Sequence, residues 1–474
     1  MKILPILLLC VVSVFYPIYG WAACSWDGNT GTVADPYSAT QVQECINDAA
    51  SKTGAVIIQI PNSAPTWSGG ITVNMRSSWA NVTSLTIRGQ NDCTLNGNGI
   101  PTACGTNITN FSVTYTGLEG KAFRLSNMRW TGATSANPVY ITGTGKSWRI
   151  DHIFFDHTTA GRIIYMNEAG ATDVTYGLID SCNVHDVGGV FLHTSPSNGG
   201  NYGWIRALDL GGPDATYIEN STFYWTTWNA SVSGVTDANG PGRYVIRYND
   251  ITNGYIFAHD AIVNGHRGVR KWEVYNNTFT YSGSNCFVFA GRAGTGVFFN
   301  NTISDPELQL CPQYIQLACY RTGVAGQNPW DALCSNTSGK GCLGTASPYP
   351  QNCTTDADCG GVAGSCIAKD ATTGSPTGYP CRDQLGFDGN NPQTSRPFLL
   401  WNNTKNGSDI TVGIAYNTSY IAEGRDYCKH PTTMPASCNG VTTNYTPYTY
   451  PHPLRQSQAG DNPPEKPQNL RITE

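Results

Sequence analysis

Charged and histidine side chains accompany a set of short apolar segments in the middle of the sequence. With a recurring Asn phrase as register, one strand per repeat aligns as 163–166, 190–193, 255–258 and 287–290. The polar residues at or just past these positions are Glu168, His193, Thr194, Asp237, His259, Asp260 and Arg292. Imidazole and carboxylate groups move protons, and guanidinium groups hold anions. If the segments stack as parallel strands ~4.8 Å apart, these groups converge.

The loop that follows is the most basic stretch of a sparsely charged chain. Residues 243–271 hold five Arg or Lys residues and two Asp residues, a local formal charge of +3, and they include His259 and His266. Arginine binds a carboxylate through two parallel hydrogen bonds. A neutral histidine, or a cation of lowered pKa, can then take the proton next to the neutralised carboxyl group, which is β-elimination.

For that reaction, we expect His259, Arg267 and Arg270 to be the base and the carboxylate-binding groups. Asp237, His193 and Arg292 would support them. The same stretch also fits a solvated outer strand with scattered arginines, and this interpretation stays open.

Hydrolysis of a glycosidic bond needs a different set of residues. Two opposed carboxyl groups are required, and inversion places them about 6.5–9.5 Å apart. Glu168, Asp237 and Asp260 are the candidates for that pair. Calcium bound by Asp237, Asp260 and loop carbonyls is possible because hard cations take oxygen ligands. No compact calcium motif occurs, so no cofactor is assigned.

Aromatic and further histidine side chains lie near the same segments. Trp225 and Trp228 are either a platform for sugar rings, or one core residue and one residue packed under a loop. His152, His157 and His185 fall in the Asn-rich region of their repeats. We interpret these three histidines as turn or surface residues.

The elements that position these groups are predicted by a degenerate repeat. A short apolar run, an Asn-rich polar pair and another apolar residue recur, as in Tyr275–Phe279 and Phe299–Ile303. The third position of the phrase falls at residues 127, 152, 181, 220, 249, 277 and 301. Each spacing suits one turn of a solenoid of three short strands, whose repeats must stack to bury their apolar side chains. Asn suits the bends and can bond to the Asn of the next repeat.

The repeat predicts an all-β fold, a right-handed parallel β-helix, with a capped N-terminal end. Val42, Cys45, Ile46 and Ala49 keep helical spacing, so residues 40–51 are expected to form an amphipathic helix. Residues 55–61 are expected to form the first strand. An antiparallel sandwich would not explain why the Asn phrase recurs at this spacing.

These features resemble a known superfamily. The phrase from Gln41 to Pro61, the Ser84–Gln90 strand, the Asn-Asn-Thr-Phe repeats and the ending Tyr448–Leu454 look like bacterial right-handed parallel β-helix proteins of the pectate-lyase-like superfamily. The resemblance covers roughly residues 35–455 and implies an extracellular protein that acts on carbohydrate. It does not imply one reaction. Neither the Pro-Arg motif of pectate lyases nor the paired-Asp and Gly-His-Gly segments of polygalacturonases occurs here.

The N-terminus and the cysteines predict export. Lys2 followed by the apolar stretch Ile3–Val14 is typical of a signal peptide, cleaved near Ala23. Of 17 Cys, Cys10 lies in this leader, and the remaining 16 are an even number that favours disulfides. Lipoprotein processing at Cys24 is the alternative, and zinc binding by the cysteines is disfavoured because no CxxC pairs occur.

The domain organisation follows from these signals. We expect a signal peptide at 1–22, a capped β-helix at 23–305, a Cys-rich disulfide-stapled insertion at 306–396, final repeats at 397–456 and a Pro-rich tail at 457–474. Eight cysteines fall inside the insertion, which is expected either to border a binding groove or to be a stabilising flap.

Composition limits the partners. The chain has a net charge of −5 and 13% charged residues, which argues against nucleic acid as a partner. We expect a secreted or cell-surface monomer with a polysaccharide partner and no membrane insertion. The hypotheses are a lyase for an acidic glycan, a glycoside hydrolase, and a non-catalytic glycan-binding or adhesive surface protein.

Overall fold

The fold is seen in a computed structural model of the chain. It describes residues 20–21, 38–62, 64–76, 79–132, 137–167, 174–194, 206–238, 242–259, 268–282, 287–305, 314–318, 340–342, 352–359, 363, 366–368, 384–388, 394–415 and 421–456.

The one α-helix of this described part is the predicted N-terminal helix. It spans Ala39–Ala49, and Ser38 caps it in a reciprocal pair with Gln41, which satisfies two N–H groups at the helix start. Val42, Cys45, Ile46 and Ala49 are all buried, so the predicted apolar face is confirmed. The helix packs on the strands Gly54–Ile60 and Ile71–Asn74.

Twelve strands form a parallel series that we call the first ladder. Each strand pairs with the next strand of the series in chain order. Its members are Gly20–Trp21, Gly54–Ile60, Val82–Gly89, Ala122–Thr131, Ser147–Asp156, Gly177–Asp180, Thr216–Glu219, Arg243–Arg247, Lys271–Tyr275, Thr295–Phe299, Phe398–Trp401 and Tyr427–His430. The pair Gly20–Trp21 falls inside the predicted leader.

Two further parallel series run beside the first ladder. The second ladder contains Asn107–Thr109, the ends of Ala122–Thr131 and Ser147–Asp156, then Asn183–His185, Thr222–Tyr224, Asp250–Thr252, Thr278–Thr280, Thr302–Ser304 and Thr404–Lys405. The third ladder contains Ile71–Asn74, Val113–Gly117, Val139–Gly143, Arg162–Asn167, Val190–Thr194, Gly234–Ala238, Tyr255–Ala258, Phe289–Gly291, Ile315–Ala318 and Val412–Ala415.

The remaining short elements pair locally. Antiparallel pairs join Thr94–Leu95 to Pro101–Ala103, Thr404–Lys405 to Ser408–Asp409, Phe387–Asp388 to Thr394–Ser395, and Ser437–Cys438 to Val441–Thr442. Lys340–Cys342 pairs with both Asn352–Cys353 and Cys366–Ala368, and two 3₁₀ turns span Asp356–Cys359 and Pro453–Arg455.

From Ala122 to Ala415, each repeat contributes to all three ladders. The repeat that begins at Thr216–Glu219 continues with Thr222–Tyr224 and ends with Gly234–Ala238, and the next begins at Arg243–Arg247. Side chains that point between the ladders, such as Ile164, Leu192 and Ile256, form one continuous apolar core. The chain is therefore mostly β, with long parallel sheets in the order that the repeat predicts. No helix in the described ranges has the length and apolarity to cross a membrane.

An Asn ladder runs through the bend between the first two ladders. The backbone N–H and the side-chain amide of Asn277 both donate to Asn301 Oδ1 at 3.0 Å, and Asn301 repeats this toward Asn403 Oδ1. Asn249 does the same toward Asn277. The predicted bonding between Asn residues of successive repeats is thus confirmed for these four residues.

The predicted alignment of the Asn phrase is shifted by one residue between its earlier and its later repeats. The left-handed bend residues are Asn127, His152, Ser181 and Asn220, followed by Tyr248, Asn276, Asn300 and Asn402. Asn249, Asn277 and Asn301 each come one position after the bend, where earlier repeats have Cys182 and Ser221. Asn is favourable at both positions, so residue type alone does not separate them.

Cys182 occupies the position, one residue after the bend, at which Asn249 lies in a later repeat. Its backbone N–H donates to Ser221 Oγ at 3.1 Å, and its thiol contacts the carbonyls of Ile150 and Asp180. It is a free, fully buried cysteine, and burial raises the pKa of its thiol well above the ordinary value. Its environment is structural rather than reactive.

The C-terminal segment covers the outer face of the first ladder. Residues 434–454 pack on a second apolar cluster that includes Tyr217, Tyr275 and Phe299. Beneath the segment, Arg247 donates to Glu219 Oε2 at 2.7 Å and to the carbonyls of Tyr448 and Thr449. This face is therefore closed to solvent at its centre, although it is not part of the main core.

The Cys-rich insertion starts later than predicted. Ile315–Ala318 lies inside the predicted range 306–396, yet it pairs with Phe289–Gly291 and with Val412–Ala415 in the third ladder. The strand is short and apolar, and nothing in its sequence indicates which ladder it joins. Farther along, Leu385 and Phe387 are buried, and the Gly386 N–H donates to the Gly294 carbonyl, so this part of the insertion docks on the sheets.

Disulfides form where two local loops close. Cys93 is bonded to Cys104, and Cys428 is bonded to Cys438. Cys45 and Cys366 each take part in another disulfide. Persistent disulfides indicate an oxidising, extracellular environment. The predicted leader cleavage site and the tail 457–474 lie outside the described residues.

Candidate functional site

One row of side chains follows the face of the third ladder that points away from the core. Tyr140, Tyr165, His193, Asp237 and Phe257 occupy the same register position in five consecutive strands. We call this set the outer row. Four steps of ~4.8 Å give it a length of about 19 Å. Groups that are up to 117 positions apart in the chain therefore stand side by side.

The first half of the outer row is a stack of rings. The rings of Tyr140 and Tyr165 are nearly parallel with centroids 5.5 Å apart, and Tyr165 and His193 follow at 5.4 Å. Asn167 donates to the Tyr140 hydroxyl at 2.5 Å, and the Arg162 guanidinium lies 5.3 Å from the Tyr165 ring centroid. Because the ring faces contact one another, the polar parts of this half of the row are the ring edges.

The second half of the outer row is ionisable. His193 Nδ1 lies 3.7 Å from Asp237 Oδ2. His259 and Arg292 come one residue after neighbouring strand ends, since Ala258 pairs with Gly291. The His259 ring centroid is 4.9 Å from that of Phe257, and the Arg292 guanidinium lies 4.4 Å from the same Phe257 centroid. The structure thus brings four predicted residues together, His193, Asp237, His259 and Arg292.

His193 is held neutral in this environment. The residue is only 2% exposed, and this burial lowers the pKa of its imidazole to about 3, with the charges of Arg162 and His259 adding to the effect. A hydrogen bond to the Asp237 backbone opposes the shift. At neutral pH, His193 therefore acts as a neutral hydrogen-bonding group and not as a cation.

This burial predicts a loss of stability below neutral pH. The unfolded chain protonates a histidine near 6.5, whereas folded His193 and His452 both have a pKa lowered to about 3. The folded state binds fewer protons in that window, so stability falls as pH falls from 6.5 toward 3, by at most about 1.4 kcal/mol per pH unit for each histidine. Urea unfolding at several pH values between 7 and 5 measures this slope.

The matched variant is His193→Gln, which removes one titrating group from the outer row. Its unfolding free energy should depend less steeply on pH than that of the parent protein over the same range. If the unfolding free energy of both proteins depended equally on pH, the pKa of His193 would not be lowered in the folded state.

The predicted basic stretch is used for packing. Arg243 donates to the carbonyl oxygens of Ala207 and Leu208, and Lys271 contacts Glu273 at 3.3 Å. Arg247 binds Glu219 as described above. All three cations are buried on the outer side of the first ladder, away from the outer row. These three cations therefore do not belong to the candidate site.

Arg270 forms an ion pair within the protein. It was expected to bind a substrate carboxylate, but it is 2% exposed and its guanidinium is paired with the carboxylate of Asp388 in the insertion. This contact joins the insertion to the sheets. The sequence marks the cation but not a carboxylate 118 residues later that neutralises it.

The two tryptophans have different environments. Trp225 is 2% exposed, stacks near Phe223 and donates to the Val187 carbonyl, so it is a core residue, as the second of the two sequence interpretations expects. Trp228 is half-buried on the third ladder, with its ring 5.5 Å from that of Phe287 and 6.1 Å from that of Tyr255. Trp228 therefore lies on the same face as the outer row.

Four predicted site residues fall outside the described part of the chain. These are Glu168, Asp260, His266 and Arg267. Among the described residues of the outer row, Asp237 is the single carboxylate.

A second concave surface lies along the Asn ladder. It has a volume of about 400 Å³ and is lined mainly by amide and hydroxyl side chains, including Asn220, Asn276 and Asn300. Asp250 is the carboxyl group in its lining, and burial raises the pKa of that group. This groove has acceptors and donors for a polar ligand but no base paired with a cation.

Sequence reasoning missed Tyr140, Tyr165 and Phe257 as neighbours of the predicted residues. The predicted alignment placed Met166 beside His193, whereas Tyr165 is the true partner. A slip of one residue moves each side chain to the other face of a strand. The signal that could have found them is the alternation of buried Ile164 and Met166 around half-buried Tyr165.

Comparisons with known proteins give no family for this chain. No protein-family model, no curated protein and no solved structure matches it.

Proposed function

We propose that the chain is a secreted right-handed parallel β-helix of the pectate-lyase-like kind, which binds and cuts an acidic polysaccharide as a monomer. The three parallel ladders, to all of which the repeats between Ala122 and Ala415 contribute, support this fold. The apolar stretch after Lys2 supports a signal peptide. The disulfides fit the compartment in which such a protein would work.

The observation that carries the carbohydrate proposal is the outer row. Its hydroxyl, imidazole and carboxylate groups follow one another at the spacing of the strands, on one face, in a row about 19 Å long. A linear chain of sugars presents hydroxyl groups at regular intervals, so a regular row of donors and acceptors fits it. Trp228 adds an aromatic surface beside the row.

The ionisable end of the row favours elimination over hydrolysis. We assign His259 as the base that removes the proton on the carbon next to a uronate carboxyl group. The electron pair then forms a carbon–carbon double bond, the glycosidic C–O bond on the neighbouring carbon breaks, and the leaving oxygen takes a proton from water. Arg292, stacked on Phe257, is assigned to the carboxylate.

His193 and Asp237 are assigned to positioning. Neutral His193 is buried between Tyr165 and Asp237 and can donate a hydrogen bond without adding charge. Asp237 lies in register with both His193 and Phe257, so it joins the ring stack to the Phe257 end of the row. Loss of either group should weaken turnover more than binding.

The test is an assay of the oxidised full chain on pectate, alginate and glycosaminoglycans, with and without Ca²⁺. The expected result is ultraviolet absorbance from an unsaturated uronate on one substrate, reduced by about 10²-fold or more in His259→Ala. Arg292→Met should raise KM on the same substrate. His430→Ala is the matched control, since His430 is exposed at the far end of the first ladder.

Other outcomes separate the alternatives. New reducing ends without ultraviolet absorbance would replace elimination by hydrolysis. Retention on a glycan gel without either product would make the protein a glycan-binding surface protein. No product and no retention on any of these polymers would overturn the carbohydrate proposal.

A further inference from the structure

A cluster of two histidines and two aspartates lies on the second ladder, apart from the outer row. His157 follows the strand Ser147–Asp156, and His185 and Asp186 come from the next repeat, where Asp156 pairs with His185. Ligand atoms of Asp156, His157 and His185 lie within 4.8 Å of one another. The sequence interpretation of both histidines as plain turn residues leaves this grouping unexplained.

One carboxylate orients both imidazole rings. Asp156 Oδ1 lies 2.5 Å from His157 Nδ1 and 3.2 Å from His185 Nδ1. The other oxygen of Asp156 is bound by the Arg129 guanidinium, which fixes the carboxylate. This arrangement places a proton on each Nδ1 and turns the Nε2 lone pairs away from Asp156. Histidines that bind metal ions are commonly held in this way.

The two Nε2 atoms point to a second carboxylate. His157 Nε2 and His185 Nε2 each lie 3.8 Å from the same oxygen of Asp186, Oδ2. Asp186 is itself held by Thr226, whose backbone N–H and hydroxyl donate to its two oxygens at 2.7 Å. Both imidazoles thus approach one carboxylate oxygen, which is where a shared cation would lie.

We propose that His157, His185 and Asp186 bind one divalent transition-metal ion of the zinc type. A tetrahedral ion with bonds of ~2.1 Å separates its ligands by roughly 3.4 Å. The distance of 3.8 Å from each Nε2 atom to Asp186 Oδ2 must therefore shorten by a few tenths of an ångström. Two imidazoles and one carboxylate form a ligand set that zinc uses in proteins.

The surroundings leave one coordination position open. The His157 side chain is 62% exposed, whereas that of Asp156 is 6% exposed. The His185 ring stacks on Tyr224 at 4.9 Å, which fixes its plane. Water can complete the coordination from the exposed side, so the bound ion would be accessible to a solvent ligand.

The experiment is calorimetric titration of the metal-stripped full chain with Zn²⁺, together with the visible spectrum after addition of Co²⁺. We expect saturable binding of one ion and a Co²⁺ spectrum typical of four-coordination. His185→Gln and Asp186→Asn should abolish the saturable phase. Asp156→Asn, which removes the carboxylate that orients both rings and pairs with Arg129, should weaken binding by about 10–100-fold.

The variants are chosen to remain folded. His157→Asn suits the left-handed backbone at that position, where φ is +48°, and should lose binding like His185→Gln. His430→Ala is the control and should bind as the parent chain does. Absence of saturable Zn²⁺ binding by the parent chain, or binding unchanged in His157→Asn and His185→Gln, would overturn the proposal and leave a set of histidine–aspartate ion pairs.

Discussion

Replacement of Arg247 by methionine is expected to cost about 3–5 kcal/mol of unfolding free energy, because it leaves a buried carboxylate without its cation. Arg247 is fully buried, donates to Glu219 Oε2 and to the Tyr275 hydroxyl, and also binds the carbonyls of Tyr448 and Thr449. The substitution therefore breaks the ion pair and releases the C-terminal segment. Chemical denaturation at neutral pH measures the loss.

The double variant Glu219→Gln with Arg247→Met separates the charge from the packing. Removing both charges should recover part of the stability, since no unpaired ion remains. The control is Lys146→Met, which breaks an exposed pair with Glu119 and should cost less than about 1 kcal/mol. Equal effects of Lys146→Met and Arg247→Met would contradict a buried, stabilising role for Arg247.

Replacement of Asn277 by alanine is the second large effect, a loss of about 3 kcal/mol or more, because several buried polar groups lose their partners at once. Its amide N–H₂ donates to the carbonyls of Ile246 and Tyr275 and to Asn301, and its oxygen accepts both donors of Asn249. The change should lower the urea midpoint without altering the dependence on urea concentration.

Thr278→Ala is the control for that experiment. Thr278 is the next residue, but its side chain is exposed in the second ladder. Its substitution should change stability by less than about 0.5 kcal/mol. A loss below about 1 kcal/mol in Asn277→Ala would show that the ladder contributes little beyond its backbone hydrogen bonds.

The mostly β architecture with long parallel sheets was largely predictable because its main determinant is periodic. The Asn phrase recurs once per repeat, and a repeat that cannot bury its own apolar side chains must stack on its neighbours. The helix at Ala39–Ala49 was predictable from four residues at helical spacing. The position of the bend was not predictable, because Asn276 lies at the bend and the next residue, Asn277, lies in the Asn ladder.

The candidate site was predictable only in part. His193, Asp237, His259 and Arg292 could be found as polar groups at strand ends, and they do lie together. The aromatic half of the outer row could not be placed, because a register error of one residue exchanges the faces of a strand. The basic stretch was misinterpreted because its partners, such as Asp388 and the carbonyl of Thr449, are distant in sequence.

The C-terminal segment also has a consequence for how the chain is made. Contacts between Arg247 and Thr449, or between Glu219 and His452, join residues that are 202 and 233 positions apart. During synthesis, Tyr217, Tyr275 and Phe299 emerge well before residues 434–454, so they stay open to water until that segment follows. An unfinished chain of this kind is prone to aggregate. Export followed by folding, or a chaperone that shields this face, would protect the protein in that interval.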